Sequence, residues 1–338
     1  MFKIDIHTHI LPENLNDVTG KFTDSRFLTI DPVYKTSAML KKDGKSFRKV
    51  DCNCWNHQAR INDCDYTKVN MQVLSTLPVL FSYWAQDDEC LALSQFLNNH
   101  IAHICREEPQ RFIGLGTIPM QNTDMAISEM ERCVNELKFP GIEIGSNING
   151  ENLSSEKFHP IFEHAEKLGS SIFVHPWEMM GQKDMEKYWL SWLVGMPAET
   201  SRAICSIIFG GILEKYPSLK IAFAHGGGAF PFTIGRIDHG FRMRPDLCSI
   251  DNDTLPSSYM KHFYIDSLVH DENTMRFLLE TVGAEQIALG SDYPFPLGEQ
   301  HPGKLIEEMD LTDLTKQRLL AGTALEWLGL TESEYIRN

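Results

Sequence analysis

Met1-Phe-Lys-Ile-Asp-Ile-His7-Thr-His9 opens the chain as an apolar run that closes on two histidines one residue apart. Side chains alternate faces along a strand, so residues two apart point the same way. An H-x-H pair at a strand end therefore offers two imidazoles side by side, half of a metal site. Three more strand-like runs end on a ligand-type residue: Ser171-Ile-Phe-Val-His175, Lys220-Ile-Ala-Phe-Ala-His225 and Gln286-Ile-Ala-Leu-Gly-Ser-Asp292. Four such endings point to one common centre.

Working outward, β-rich runs recur near residues 2–7, 71–77, 112–119, 141–146, 171–175, 220–225, 262–269 and 286–291. Helical patterns fall between most of them: Asp87 to Glu107, Thr123 to Leu137, Ser155 to Leu168, Glu199 to Tyr216, Glu272 to Thr281 and Leu311 to Leu328. Ser154 or Ser155 ahead of Glu156, and Thr312-Asp313, read as helix caps. Strands alternating with helices imply right-handed βαβ units and a parallel sheet. Eight units predict an α/β fold, a closed (β/α)8 TIM-type barrel forming a single domain over residues 1–338. A doubly wound sheet is the alternative, but it calls for a Gly-rich phosphate loop where this chain has H-x-H. Barrel geometry also puts every candidate ligand at the C-terminal end of a strand, the catalytic face.

Residues 11–57 break the rhythm, since a strand-to-helix connection normally needs only a few residues. Within them Lys45-Ser-Phe-Arg48-Lys-Val follows an Asp43-Gly44 turn signal and reads as part of a hairpin. The expectation is a lid-like insertion over the catalytic face.

Composition sets the limits. The 338 residues are 42% hydrophobic and 23% charged, as in a soluble globular protein. A net charge of −15 argues against nucleic acid or an anionic membrane as partner, and means that an anionic substrate needs local arginines. No run approaches the roughly 18 apolar residues of a membrane span, and the N-terminus reads as a strand rather than a secretory signal. A cytoplasmic protein is expected. Its eight cysteines then read as free thiols, with Cys133 and Cys205 as small core residues. Cys52-Asn-Cys54 lacks the C-x-x-C spacing of a structural zinc site.

His7, His9, His175 and Asp292 make an N3O set that suits zinc with one position open to water. His225, followed by Gly226-Gly227-Gly228, is either a fifth ligand or a general base, and the base is the preferred role. The H-G-G-G string also matches the oxyanion loop of esterases, but that requires a G-x-S-x-G elbow absent from this chain. Glu143, in the fourth expected strand, is a candidate bridge to a second metal. A paired or surface carboxylate is the preferred reading, so one metal is expected. Arg48, Arg236 and Arg244 suit a dicarboxylate, since guanidinium grips a carboxylate with two parallel hydrogen bonds. Trp177, Trp189, Trp192 and Phe295 are candidates to wall a pocket for a flat conjugated molecule.

These strings resemble those of the amidohydrolase-related metal-dependent decarboxylases over nearly the whole chain. The resemblance is carried by Ile4-Asp-Ile-His-Thr-His-Ile-Leu-Pro12, Ser75-Thr-Leu-Pro-Val-Leu-Phe-Ser-Tyr-Trp-Ala85, Gly114-Leu-Gly-Thr-Ile-Pro-Met-Gln121, Trp192-Leu-Val-Gly-Met-Pro-Ala-Glu-Thr200, His225-Gly-Gly-Gly-Ala-Phe-Pro-Phe232 and Gly290-Ser-Asp-Tyr-Pro-Phe-Pro-Leu-Gly-Glu299. It implies one Zn2+ per subunit on His7, His9, His175 and Asp292, His225 as acid/base, and no organic cofactor. It further implies a homodimer in which Arg48 and, from the neighbouring subunit, Arg236 and Arg244 hold substrate carboxylates. The implied reaction is loss of carbon dioxide from 2-amino-3-carboxymuconate 6-semialdehyde, giving 2-aminomuconate 6-semialdehyde, in tryptophan breakdown through kynurenine. Decarboxylation of a hydroxybenzoate-type acid, metal-dependent hydrolysis, and a non-catalytic zinc scaffold are the competing readings.

Overall fold

The eight β-rich runs form one sheet of parallel strands in chain order, seen in a computed structural model that describes residues 1–331. The last seven residues of the expected 1–338 domain lie outside the described residues. The barrel strands are β1 (Ile4–Ile10), β5 (Met71–Thr76), β6 (Phe112–Thr117), β7 (Gly141–Gly145), β10 (Ser171–His175), β11 (Ile221–Phe223), β12 (Tyr264–Asp266) and β13 (Ile287–Ala288). Between them lie β2 (Thr29–Tyr34), β3 (Ser37–Lys42), β4 (Lys45–Asp51) and a two-residue pair, β8 (Asn147–Ile148) with β9 (Glu151–Asn152). The sheet closes on itself. Ile6 N donates to Leu289 O, His9 N donates to Tyr293 O, both at 2.8 Å, and Thr8 bridges Tyr293 in parallel. Every residue of β1, β5, β6, β7 and β10 is buried, as expected for parallel strands covered on both faces.

One end of the barrel is plugged by the chain's last described helix, Thr323–Leu328. Trp327 is fully buried, meets Phe173 edge-on at 6.0 Å, and its carbonyl accepts a hydrogen bond from Ser171 Oγ. Ser171 begins β10 and His175 ends it, so the plug sits at the N-terminal end and leaves the C-terminal ends for chemistry.

Helices Asp87–Glu107 and Glu272–Thr281 run over the expected bounds. The second is capped by Asp271, whose carboxylate accepts from Asn273 N and Thr274 N. The stretch expected from Glu199 to Tyr216 splits into Met196–Phe209 and Ile212–Lys215 at Gly210-Gly211, with Gly211 at φ +67°. Thr312 caps its helix by accepting from Thr315 N, whereas Ser155 does not cap, its hydroxyl donating to Glu151 instead. Helix Phe230–Met243 has no counterpart in the expected pattern.

The insertion holds more structure than a hairpin. β2, β3 and β4 make a three-stranded antiparallel sheet, with Asp43 (φ 53°) and Gly44 (φ 67°) forming the last turn. Positive φ at both central residues matches the right-handed strand twist and is what Asp-Gly favours. Ile30, Ala38, Leu40 and Val50 pack with Leu77, Leu80, Leu93 and Leu97 in an apolar layer. All eight cysteines are free, with Cys133 buried and Cys205 half-buried. Among the described residues no helix is long and apolar enough to cross a membrane.

His100, on helix Asp87–Glu107, has Nε2 buried without a hydrogen-bond partner. Burial, reinforced by His103, His57 and Arg60, pushes its pKa down from 6.5 to about 4. Between these values the unfolded chain binds a proton that the folded chain refuses, so stability falls as pH drops through that window. Urea unfolding of wild type and His100→Gln should show a wild-type advantage that shrinks by up to about 3 kcal/mol from pH 7 to pH 4. A difference that does not vary with pH contradicts this.

Candidate active site

β1 delivers His7 and His9 to one face by alternation, and their Nε2 atoms come within 3.1 Å. β10 ends in His175, whose ring lies 5.1 Å from both. Beyond β11 comes His225, 5.2 Å from His7 and from His175. Beyond β13 comes Asp292, with Oδ1 3.2 Å from His9 Nε2 and 3.6 Å from His7 Nε2. Ligand atoms of His7, His175, His225 and Asp292 all lie within 4.8 Å of one another, so the tightest quartet takes in His225, with His9 beside it. Five side chains converge.

Hydrogen bonding behind the rings fixes what they present. His9 Nδ1 faces the Thr76 carbonyl at 2.9 Å and His175 Nδ1 the Pro176 carbonyl at 2.9 Å, so each must donate there. His7 Nδ1 donates to Asp266 Oδ2 at 2.6 Å. Each of these three imidazoles, when neutral, therefore turns an Nε2 lone pair toward the centre. His175 Nε2 and His225 Nδ1 are buried without a hydrogen-bond partner. Three lone pairs and a carboxylate pointed at one spot repel unless a cation or protons sit among them. That donor chemistry fits a divalent transition metal, which needs neutral histidines and an ionised carboxylate.

Without a cation, a proton takes its place: against burial, the hydrogen bond to Asp292 and the charges of Glu143 and Asp292 raise the His9 pKa, so His9 Nε2 then holds a proton toward Asp292 that a metal would displace. Burial raises the Asp292 carboxyl, but the His9 hydrogen bond and the His7, His9 and His225 rings outweigh it and hold the pKa at about 2. His175 is driven well below 6.5 by burial and by His9, His7 and His225. His225 falls to about 4 through burial, then His7, so it is neutral at pH 7. His225 (φ 58°) and Asp292 (φ 57°) both occupy the left-handed region that side chains avoid. Such strain clusters at functional sites, where surrounding contacts over-determine the backbone.

The sequence reading overlooked Asp266. It ends β12, wholly buried, and besides His7 it accepts from His225 N at 2.9 Å, Gly226 N at 2.8 Å and Leu268 N at 3.1 Å. The signal was a lone acid closing the run Tyr264-Ile-Asp266. Of the two readings of Glu143, paired or surface carboxylate, burial removes the second: it is fully buried and within ion-pair distance of His9 Nδ1 at 3.8 Å, with neither oxygen hydrogen-bonded. Burial raises its pKa to about 8, against the opposing pull of His9.

Above the histidines lies a pocket of about 570 Å³ lined by His9, His175, Asp292, Arg48, Trp177, Trp189, Trp192 and Phe295 together with apolar side chains. Arg48 arrives from β4 of the insertion, half-buried, its guanidinium 4.8 Å over the Phe295 ring and 5.8 Å from Trp192. It forms no ion pair among the described residues. A desolvated cation backed by aromatic faces is a receptor for an anionic group. Arg236 and Arg244 do not line this pocket. Both are exposed, on and just after helix Phe230–Met243, and Arg244 pairs with Asp246 at 2.7 Å.

Residues 4–330 match the family model described as Amidohydrolase. The chain is 52% identical, over 99% of its length and 93% of the relative's, to 2-amino-3-carboxymuconate-6-semialdehyde decarboxylase of Dictyostelium discoideum. It is 36% identical to the enzyme of that name from Caenorhabditis elegans, covering 98% of this chain and 95% of the relative. Among solved structures, 5-carboxyvanillate decarboxylase of Novosphingobium aromaticivorans, complexed with manganese, superimposes with a TM-score of 0.81 at 22% identity, covering 97% of this chain and 96% of that one.

Removing the negative charge behind His7 tests this construction. Asp266→Asn should keep the fold and lower Zn2+ or Mn2+ affinity about 10- to 100-fold in chelator competition. Unchanged affinity contradicts a metal held by His7.

Proposed function

The chain belongs to the amidohydrolase family, and on that premise we propose that it is a zinc-dependent carboxy-lyase converting 2-amino-3-carboxymuconate 6-semialdehyde to 2-aminomuconate 6-semialdehyde, a step of tryptophan breakdown through kynurenine. The observation that carries this is the pairing, in one aromatic-walled pocket, of converging histidine lone pairs with an arginine that has no ion pair among the described residues. The two relatives of that name support the substrate.

His7, His9, His175 and Asp292 would hold the zinc, which supplies Lewis-acid polarisation of a bound anion and of water. Arg48 grips one substrate carboxylate, and the Trp177, Trp189, Trp192 and Phe295 faces hold the conjugated skeleton flat and exclude water. Asp292 orients the centre and pairs with His9. Carbon dioxide leaves with cleavage of the carbon–carbon bond, the electron pair staying on the skeleton. His225, neutral through burial, takes a proton from water and delivers it to that carbon. The β2–β4 sheet serves as the cover that carries Arg48 over the site.

A second copy of the chain completes the arginine set in this reading. Arg236 and Arg244 are exposed, and exposed apolar residues lie on or beside the same helix, including Phe232 and Met243. A homodimer working in the cytoplasm, with these arginines reaching the neighbouring site, accounts for both.

Carbon dioxide release should be seen with aminocarboxymuconate semialdehyde and not with 2,6-dihydroxybenzoate or a simple amide. Turnover of the benzoate alone overturns the substrate. Arg48→Ala should lower kcat/KM about 100-fold, the size of one charge-assisted contact of about 3 kcal/mol. Mixing Arg48→Ala with Arg236→Ala protein should regain activity through hybrid dimers with one intact site, and no regain contradicts sharing.

A further inference from the structure

Arg60 is wholly buried, yet among the described residues no carboxylate lies within ion-pair distance of it. Taking a guanidinium out of water is expensive, and a similar volume of apolar side chain would fill the space without that cost. Nε and Nη1 donate elsewhere, while Nη2 is buried without a hydrogen-bond partner. Nη1 donates to His9 O at 2.7 Å and to Asn53 O at 3.2 Å, and Nε donates to Gln72 Oε1 at 3.1 Å. The guanidinium lies 4.7 Å from the centre of the Tyr293 ring.

Apart from Gln72 on β5, those partners belong to three segments that each carry part of the site. His9 is the last residue but one of β1, Asn53 lies at the root of the insertion, and Tyr293 follows Asp292. Further bonds draw the same segments together. Asp63 Oδ2 accepts from both Tyr293 Oη at 2.5 Å and Asn53 Nδ2 at 3.0 Å, and Leu11 N donates to Cys54 O at 2.9 Å. Arg48 stands in β4, which runs directly into that root, and it rests on Phe295, two residues past Tyr293. Arg60 stacks on one side chain of this short segment and Arg48 on another.

We infer that Arg60 is a positioning residue that sets the distance between Arg48 and the histidine centre, by fastening the root of the insertion and the segment after Asp292 to the carbonyl of His9. The inference rests on the reading of Arg48 as the grip for a substrate carboxylate. A guanidinium is required because its fixed fork spans several carbonyl acceptors while its plane lies against a ring, which an ammonium does not reproduce. Arg60 touches no substrate, and its effect reaches the pocket through Arg48.

A double-mutant cycle with Arg48 decides the matter. Arg60→Gln should raise KM about tenfold, leave kcat within about threefold, and keep one zinc per chain. Binding of phthalate, a planar dicarboxylate probe read by quenching of the pocket tryptophans, should weaken about tenfold in step. In an Arg48→Ala background the same change should add less than about twofold to either loss, because the group it positions is gone. Arg60→Lys, the milder variant if Arg60→Gln fails to fold, should lie between wild type and Arg60→Gln. Losses that multiply across the cycle, or a fall in zinc content and kcat with KM intact, overturn the inference. Wild-type protein that binds phthalate but decarboxylates nothing removes the functional reading, while the binding cycle still decides the role of Arg60.

Discussion

The carboxylate of Asp266 against the imidazole of His7, 2.6 Å apart and closed to solvent, is the contact on which the rest of the site depends. Burial alone would push this carboxyl up. The hydrogen bond from His7, the His7 and His225 rings and the Gly226 N–H bring it below its ordinary value instead. One anion thereby joins the end of β12 to β1 and to the turn after β11. With its Nδ1 proton committed there, His7 can offer the centre only a lone pair. His9 and His175 are committed in the same way by backbone carbonyls. The barrel thus builds a cluster of acceptors whose mutual repulsion a divalent cation relieves, and the low dielectric around them strengthens that demand.

In the proposed function a protein of net charge −15 takes up a dianion, which sets its overall field against its pocket. Exposed charges are screened within about 8 Å at physiological salt, whereas a half-buried guanidinium is screened much less. One cation in the right place therefore outweighs many distant anions. In the proposed function Arg48 is that cation, and it is delivered by a segment outside the barrel's own repeat. The division of labour is physical. The closed barrel fixes the metal-type ligands, while the antiparallel sheet and the loop after β10 supply walls of the pocket above them.

The parts of this arrangement written in short-range pattern were legible. H-x-H follows from strand alternation, His175 and Asp292 mark strand ends, and the eight β-rich runs all became barrel strands. Helices with a clear apolar period, Asp87–Glu107 and Glu272–Thr281, kept their bounds. What escaped depends on partners far away in sequence. Asp266 looks like any acid near a strand end until His7, 259 residues away, is brought against it. Glu143 reads equally as a paired or a surface carboxylate, Arg60 carries no local signal at all, and only the closed barrel buries them. Helix Phe230–Met243 was hidden by its Pro231, Gly235 and Gly240, which weaken a helical pattern that tertiary packing restores. Of the insertion, the Asp43-Gly44 turn and the hairpin strand after it were readable, while Asp31-Pro32 masks the first strand of a sheet whose edge position tolerates proline.

The most direct measurement follows carbon dioxide release from aminocarboxymuconate semialdehyde by chelator-stripped protein, before and after one equivalent of Zn2+. The account predicts no release from the stripped protein and full recovery at one equivalent, with no recovery in His7→Ala or His175→Ala. Release that survives complete removal of metal, in protein whose fold is intact, would contradict it.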